Sequence, residues 1–256
     1  MRVLLKGLAV PGIILLFWFL ASGMGIWNSY IIPSPVKTLQ TAQQLTLNGI
    51  LLKHVAVSLY RVFAGFTISL LLAFPLGILV GMNTRIVVYT EPVLEFIRHI
   101  PPLAMIPMLI LWFGIGETSK LIVIVLAAFF PIFLNTLSGV LNCDIKLLEV
   151  GRSLGFNSWE QFSRIIMPAS LPYALVGMRL GLGNSWRSLI GAELIAAASG
   201  IGYMILDAEQ LSRPDIIIVG ILTIGILGSA IDWIFFKAAD FITPWKAGDK
   251  TQNGWS

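Results

Sequence analysis

The sequence predicts an all-α, polytopic membrane protein with six transmembrane helices and both termini cytoplasmic. Hydrophobic residues make up 57% of its 256 residues and charged residues 12%, whereas an average soluble domain is roughly half apolar and about a quarter charged. The mean hydropathy is +0.87. Apolar runs of about 20 residues, the length that crosses a bilayer as a helix, recur along the chain. This composition excludes a cytosolic enzyme, a disulfide scaffold and a disordered tail. The net charge of +4 fits cytoplasmic loops of a membrane protein better than nucleic-acid binding. The single cysteine, Cys143, forms no internal disulfide, so it carries no information on redox compartment.

The expected crossings are 7–27, 62–82, 87–113, 121–141, 171–198 and 216–236. The first run has an alternative reading as a signal peptide, because Arg2 and Lys6 precede it and Ala21-Ser22-Gly23 resembles a cleavage site. Its continuation through Met24 to Trp27 outlasts a typical signal-peptide core and favours a span. An even number of crossings places both termini on one side. Segments then assigned inside hold Arg2, Lys6, Arg85, Lys146, Arg152, Arg164, Lys237, Lys246 and Lys250, against Lys37, Lys53, Arg61, Lys120 and Arg213 outside. Nine cations against five put the termini in the cytoplasm.

Between the first two crossings, Ile32-Pro33-Ser34-Pro35 opens a stretch in which Val36, Leu39, Leu45 and Leu47 alternate with Gln and Thr. That pattern predicts a short amphipathic helix at the outer surface, either a landing site for an outside partner or a lid over the bundle. The third crossing is irregular. Pro92, Pro101, Pro102 and Pro107 cannot all sit in an uninterrupted helix, since each lacks a backbone donor and crowds the preceding turn. A break near Pro101-Pro102 is expected, and non-helical backbone at membrane depth belongs where protein buries it or a water-filled cavity meets it.

Residues 142–170 form the longest inside loop. Leu147, Leu148, Val150 and Leu154 give 144–154 an apolar side, and Gly155 offers a left-handed stop. Ser158 with Gln161 three residues on reads as a capping box ahead of Trp159, Phe162, Ile165 and Ile166, with Pro168 and Pro172 ending that second helix. The result is a helix-turn-helix finger whose apolar stripes need cover from the bundle or from another protein.

Glu149-Val150-Gly151, three residues, Gly155, nine residues, Ile165, one residue, Met167-Pro168 resembles the E-A-A-x3-G-x9-I-x-L-P loop of permease subunits of ATP-binding-cassette (ABC) importers. Val150 and Gly151 stand for two alanines and Met167 for leucine, all small or apolar replacements. Within those importers the chain is similar to the nitrate, sulfonate and taurine permease branch. That likeness is carried by Ile32-Pro33-Ser34-Pro35, by Arg98-His99-Ile100-Pro101-Pro102-Leu103-Ala104 through Trp112 to Glu117, by Gly181-Leu182-Gly183 through Trp186 to Ala192-Glu193, by Gly200-Ile201-Gly202 and by Thr243-Pro244-Trp245.

The resemblance implies the type I ABC importer permease fold: one transmembrane permease domain over 1–256, with a core at about 55–240 and a cytoplasmic coupling loop at 142–170. It implies a plasma-membrane location and a permease dimer. Two cytosolic ATPase subunits would dock on Glu149, Val150, Gly151, Leu154, Gly155, Ile165, Met167 and Pro168, and an external solute-binding protein would largely set selectivity. The chain contains no G-x4-G-K-[ST] phosphate loop, so ATP and Mg are expected on the partner subunits and no cofactor on this chain.

Ionisable residues at membrane depth are functional candidates. Arg187, with Asn184 a turn earlier, lies well inside the fifth crossing, and Arg98 and His99 immediately precede the Pro101-Pro102 break. The forked donors of Arg suit an oxyanion, so Arg98 and Arg187 are candidates for passing a small anion. The alternative is neutralisation of Arg187 by Glu193, Glu91 or Glu95, with Arg98 marking the inner interface. Asp232 reads as an interfacial partner of Lys237, and His54 and His99 lack ligand spacing, so neither a catalytic nor a metal site is expected. A sulfonate, taurine or nitrate class anion is the leading cargo. Bicarbonate or a thiamine or riboflavin precursor is the alternative within the branch. In other classes, an integral-membrane enzyme should cluster His, Asp or Glu at depth, a passive channel has no use for a docking finger, and a secondary transporter should show an inverted repeat.

Overall fold

The computed structural model describes residues 2–243; Pro244 and Trp245 of the closing motif lie outside the described residues. All regular structure among them is helical. In chain order the helices are α1 (Arg2–Gly23), α2 (Pro35–Leu47), α3 (Ile50–Gly81), α4 (Thr84–Arg98), a 3-10 turn (Pro102–Met105), α5 (Ile106–Phe113), α6 (Glu117–Leu141), α7 (Ile145–Ser153), α8 (Ser158–Gln161), a π-helical turn (Phe162–Ile166), α9 (Met167–Ala196), α10 (Ile201–Gln210) and α11 (Pro214–Ile242). Four helical stretches are long and apolar enough to cross a membrane: Ile50–Gly81, Glu117–Leu141, Ser158–Ala196 and Pro214–Ile242. A fifth candidate is broken, Pro92–Arg98 and Pro102–Phe113 meeting at 81°.

The break falls where the prolines require it. Pro101 caps the 3-10 turn in extended conformation and Pro102 opens it, while Pro107 lies in the first turn of α5, where its missing donor costs nothing. Ile106 and Leu109 pack with Val123 and Ala192, whereas Leu111, Trp112 and Phe113 are exposed. The expectation that this segment faces inward therefore holds for one side of α5 only.

The chain divides into two compact units, residues 60–192 with 228–243 and residues 2–59 with 193–227. In the first, small residues let backbones approach. A Cβ on Gly77 would lie 2.9 Å from the Phe133 carbonyl oxygen, one on Gly177 2.6 Å from that of Pro131, and one on Gly181 3.1 Å from that of Ala128. Both small-residue stripes, Gly77-x3-Gly81 and Gly177-x3-Gly181, are thus used to pack α3 and α9 on α6.

In the second unit, Ser34 caps α2 by accepting from the Lys37 amide, with Pro35 at its first position. The packing face of α2 differs from the apolar pattern: Thr38, Thr41 and Leu45 are buried, and Val36, Leu39 and Leu47 are exposed. Thr41 donates to Asp215 Oδ2 at 2.8 Å, and Arg213 grips the same carboxylate from Nε and Nη2. A satisfied polar anchor sets the orientation of this helix in place of apolar burial.

Candidate functional site

The finger begins where Asp144 accepts from the Lys146 amide and caps α7. It turns at Gly155, whose φ is +80°. The Gly155 amide donates to the Arg152 carbonyl and the Phe156 amide to that of Gly151, the paired bonds of a Schellman stop. Gly151 is itself a point of close approach, since a Cβ there would stand 2.7 Å from Ile165 Cδ1. The helix caps one residue earlier than the sequence pattern suggests. Asn157 Oδ1 accepts from the Glu160 amide, and Glu160 Oε2 accepts from the Asn157 amide, a charge-assisted box that outcompetes Ser158 with Gln161.

Pro168 does not end the second finger helix. The π turn at Phe162–Ile166, closed by the Met167 amide on the Phe162 carbonyl, widens the backbone just ahead of the proline, so the missing donor and the ring are accommodated. Pro172 is likewise carried inside α9. Finger and span form one helical stretch, Ser158–Ala196.

Between α7 and this stretch lies a groove of about 390 Å³ with Leu147, Val150, Leu154, Ile165 and Pro168 along it. Val150 is 56% and Leu154 68% exposed. Glu149, on α7, is exposed and Met167 is half-buried at the start of α9. The finger thus shows apolar side chains that no part of the described chain covers.

The predicted charged residues separate. Arg98 Nη2 meets Glu95 Oε1 at 3.0 Å, both exposed, and His99 Nδ1 contacts the Glu95 carbonyl. Arg187 is exposed and donates from Nε to the Gly183 carbonyl one turn back, with half-buried Asn184 beside it. The Glu91 side chain lies outside the described residues. Glu193 is fully buried, in the other unit. Its carboxylate accepts from Ser58 Oγ at 2.9 Å and from the Gly202 amide at 3.0 Å, the Ile201 amide donates to Ser58 Oγ, and the Gly200 amide donates to His54 Nδ1. The start of α10 and a hydroxyl thus both donate to this buried carboxylate.

Two pairs escape sequence reasoning. Arg61, buried to 2%, holds Glu117 with Nε and Nη2, both at 2.6 Å, and Lys120 joins at 2.7 Å. Arg179 holds Asp232 by Nε at 2.7 Å and Nη2 at 2.6 Å, with Phe236 against its guanidinium. This replaces the expected Asp232–Lys237 pairing, because the Arg fork takes both carboxylate oxygens. Separations of 56 and 53 residues leave no local spacing by which to find either pair.

Long apolar helices, a broken candidate span and an apolar finger continuous with a span define a polytopic membrane protein. Comparison with known proteins specifies which. Residues 73–244 match the family described as binding-protein-dependent transport system inner membrane component, and the chain belongs to that family. It is 41% identical over 228 residues, 89% of this chain and 83% of the other, to the putative aliphatic sulfonates transport permease protein of Bacillus subtilis. It is 31% identical to the nitrate import permease of a Synechocystis strain, covering 95% of this chain and 90% of that one. Its fold matches the inward-facing MetNI methionine ABC transporter with a TM-score of 0.62 over 75% of this chain and 93% of that one, at 17% identity. The protein is therefore a multi-pass plasma-membrane permease subunit of an ABC importer, in the sulfonate, taurine and nitrate branch. Its family works with an ATPase and a solute-binding protein.

Proposed function

We propose that this chain, as a dimer with six crossings per copy and both termini inside, passes a small anion of the sulfonate, taurine or nitrate class into the cytoplasm. Two ATPase subunits, holding ATP and Mg, drive it by seating on the 142–170 loop, and an external binding protein delivers the cargo. The observation that carries this reading is the uncovered apolar groove of the finger, built on the same helical stretch as α9. A push on the groove moves the span as one lever. Exposed Arg187, inside that span, is the residue we assign to the passing anion; Arg98, His99, Pro101 and Pro102 form the bend at the candidate pathway's edge, and buried Glu193 fixes the end of α9.

The test is ATP-driven uptake of taurine, an alkanesulfonate or nitrate by the reconstituted complex. Gly155→Leu forces a bulky side chain into a left-handed turn and should cut uptake about tenfold with the permease at normal abundance. Leu154→Glu, which strains no backbone, should do the same by charging the groove. Full uptake by both variants rejects the docking role. In the same assay Arg187→Gln should slow uptake about tenfold while ATP hydrolysis persists; unchanged uptake removes Arg187 from the pathway.

A further inference from the structure

Counted from the expected crossings 171–198 and 216–236, Arg179 lies eight residues in, roughly 12 Å, and Asp232 four residues before the inner end, about 6 Å. Their side chains are 45% and 50% exposed. An ion pair half open toward the inner end of two spans has water within reach of its open side, whereas hydrocarbon could not solvate it. Arg187 lies eight residues further on, about 12 Å along the axis and on the same side of the helix. Between them stands Gly183, where an added Cβ would meet nothing closer than Arg187 Nη2 at 3.5 Å. The stripe thus carries two guanidiniums and a gap with no side chain. A cavity of about 30 Å³, large enough for one water, touches Arg179, Gly183 and Asp232. Close approach at Gly228, one turn from Asp232, where a Cβ would fall 2.9 Å from Trp186 Nε1, holds α11 within reach of α9. Phe236 keeps the Arg179 guanidinium in place, 5.2 Å from its ring centre, whether or not the carboxylate is seated.

We infer that Arg179 is a second anion station two turns from Arg187, where Asp232 is the resident counter-ion that a passing oxyanion displaces from the guanidinium fork. A sulfonate or nitrate presents the same two-oxygen edge as the carboxylate, and a station that refills with its own counter-ion releases cargo instead of trapping it. The inference rests on the anion import proposed above.

It is tested in the full reconstituted importer with Cys143→Ser, so that Gly183→Cys is the permease's sole thiol. A negatively charged methanethiosulfonate should label that thiol, and whichever of taurine, an alkanesulfonate or nitrate the wild type imports should slow labelling about fivefold. An unreactive thiol, facing lipid or a second copy, overturns the inference, as does a labelling rate indifferent to the anion. As a second readout, Arg179→Gln with Asp232→Asn keeps a hydrogen-bonded pair without charge; it should leave abundance and ATP hydrolysis near wild type and lower uptake about tenfold. Full uptake by that double variant means the pair only joins helices, and the station is lost. A wild-type complex that imports none of the three anions sinks the import reading and this one with it, whereas a wild type that imports while Gly183→Cys stays silent sinks this one alone.

Discussion

At Gly200 a single hydrogen decides whether the end of α9 is held. Its φ of +115° lies in territory that side chains rarely enter, and an added Cβ would collide with the Glu193 carboxylate. Gly200→Ala must therefore displace either the turn that aims three amides or the buried carboxylate that the Gly202 amide and Ser58 hold, at a cost of about 3 kcal/mol or more. The expected outcome is a severalfold loss of membrane abundance and a lower unfolding temperature in detergent. Gly225→Ala, with open space around its Cβ position, is the control that should change neither. The sequence marks Gly200-Ile201-Gly202 through the family likeness but leaves its partners unread, since Ser58 and His54 lie 143 and 146 residues away in the chain. The same limit hides Arg61–Glu117 and Arg179–Asp232. Local spacing offers Lys237 to Asp232, while the fold brings a guanidinium from another helix, and that donor set fits a carboxylate better.

Helices whose bounds are set by local chemistry were the most legible. The left-handed stop at Gly155 and the proline break at 101–102 follow from backbone constraints that act within a few residues, and both stand in the structure. Helix ends set by competition were less so. Asn157 with Glu160 and Ser158 with Gln161 are both capping patterns, and the charged one wins. Pro168 reads as a terminator because a regular helix cannot hold it, but a π turn immediately upstream changes the spacing of backbone donors and lets the stretch run on. That outcome matters for function. A finger ended at Pro168 would be a hinge, whereas a finger continuous with α9 would, in the proposed role, carry a displacement to the face bearing Arg179 and Arg187. On α2 the apolar pattern leaves open a landing face or a lid, and the structure puts Thr41, bonded to Asp215, on the packed side with Leu39 and Leu47 exposed.

For the whole molecule the open quantity is parity. Four helical stretches have the length and hydropathy of spans, and the Pro92–Arg98 and Pro102–Phe113 pair is bent at 81°, so it either crosses or returns to the side it entered. Three exposed positions within one unit decide between these: Met82 before the pair, Ile115 after it and Ser158 on the finger. Cysteines there, in a Cys143→Ser background, are labelled with a membrane-impermeant thiol reagent in intact cells and in inverted vesicles. Removing Cys143 ensures a clean signal, although burial and then the adjacent Asp144 carboxylate push its thiol up and make it slow to react. If the pair crosses, Met82→Cys and Ser158→Cys label only in inverted vesicles and Ile115→Cys only in intact cells. If it returns, positions 82 and 115 label together and position 158 labels from the opposite side. The proposed topology and the proposed docking on the finger both predict the first pattern, because a groove facing the exterior would have no ATPase to meet. Labelling of position 158 in intact cells would therefore remove the motor, and with it the import function.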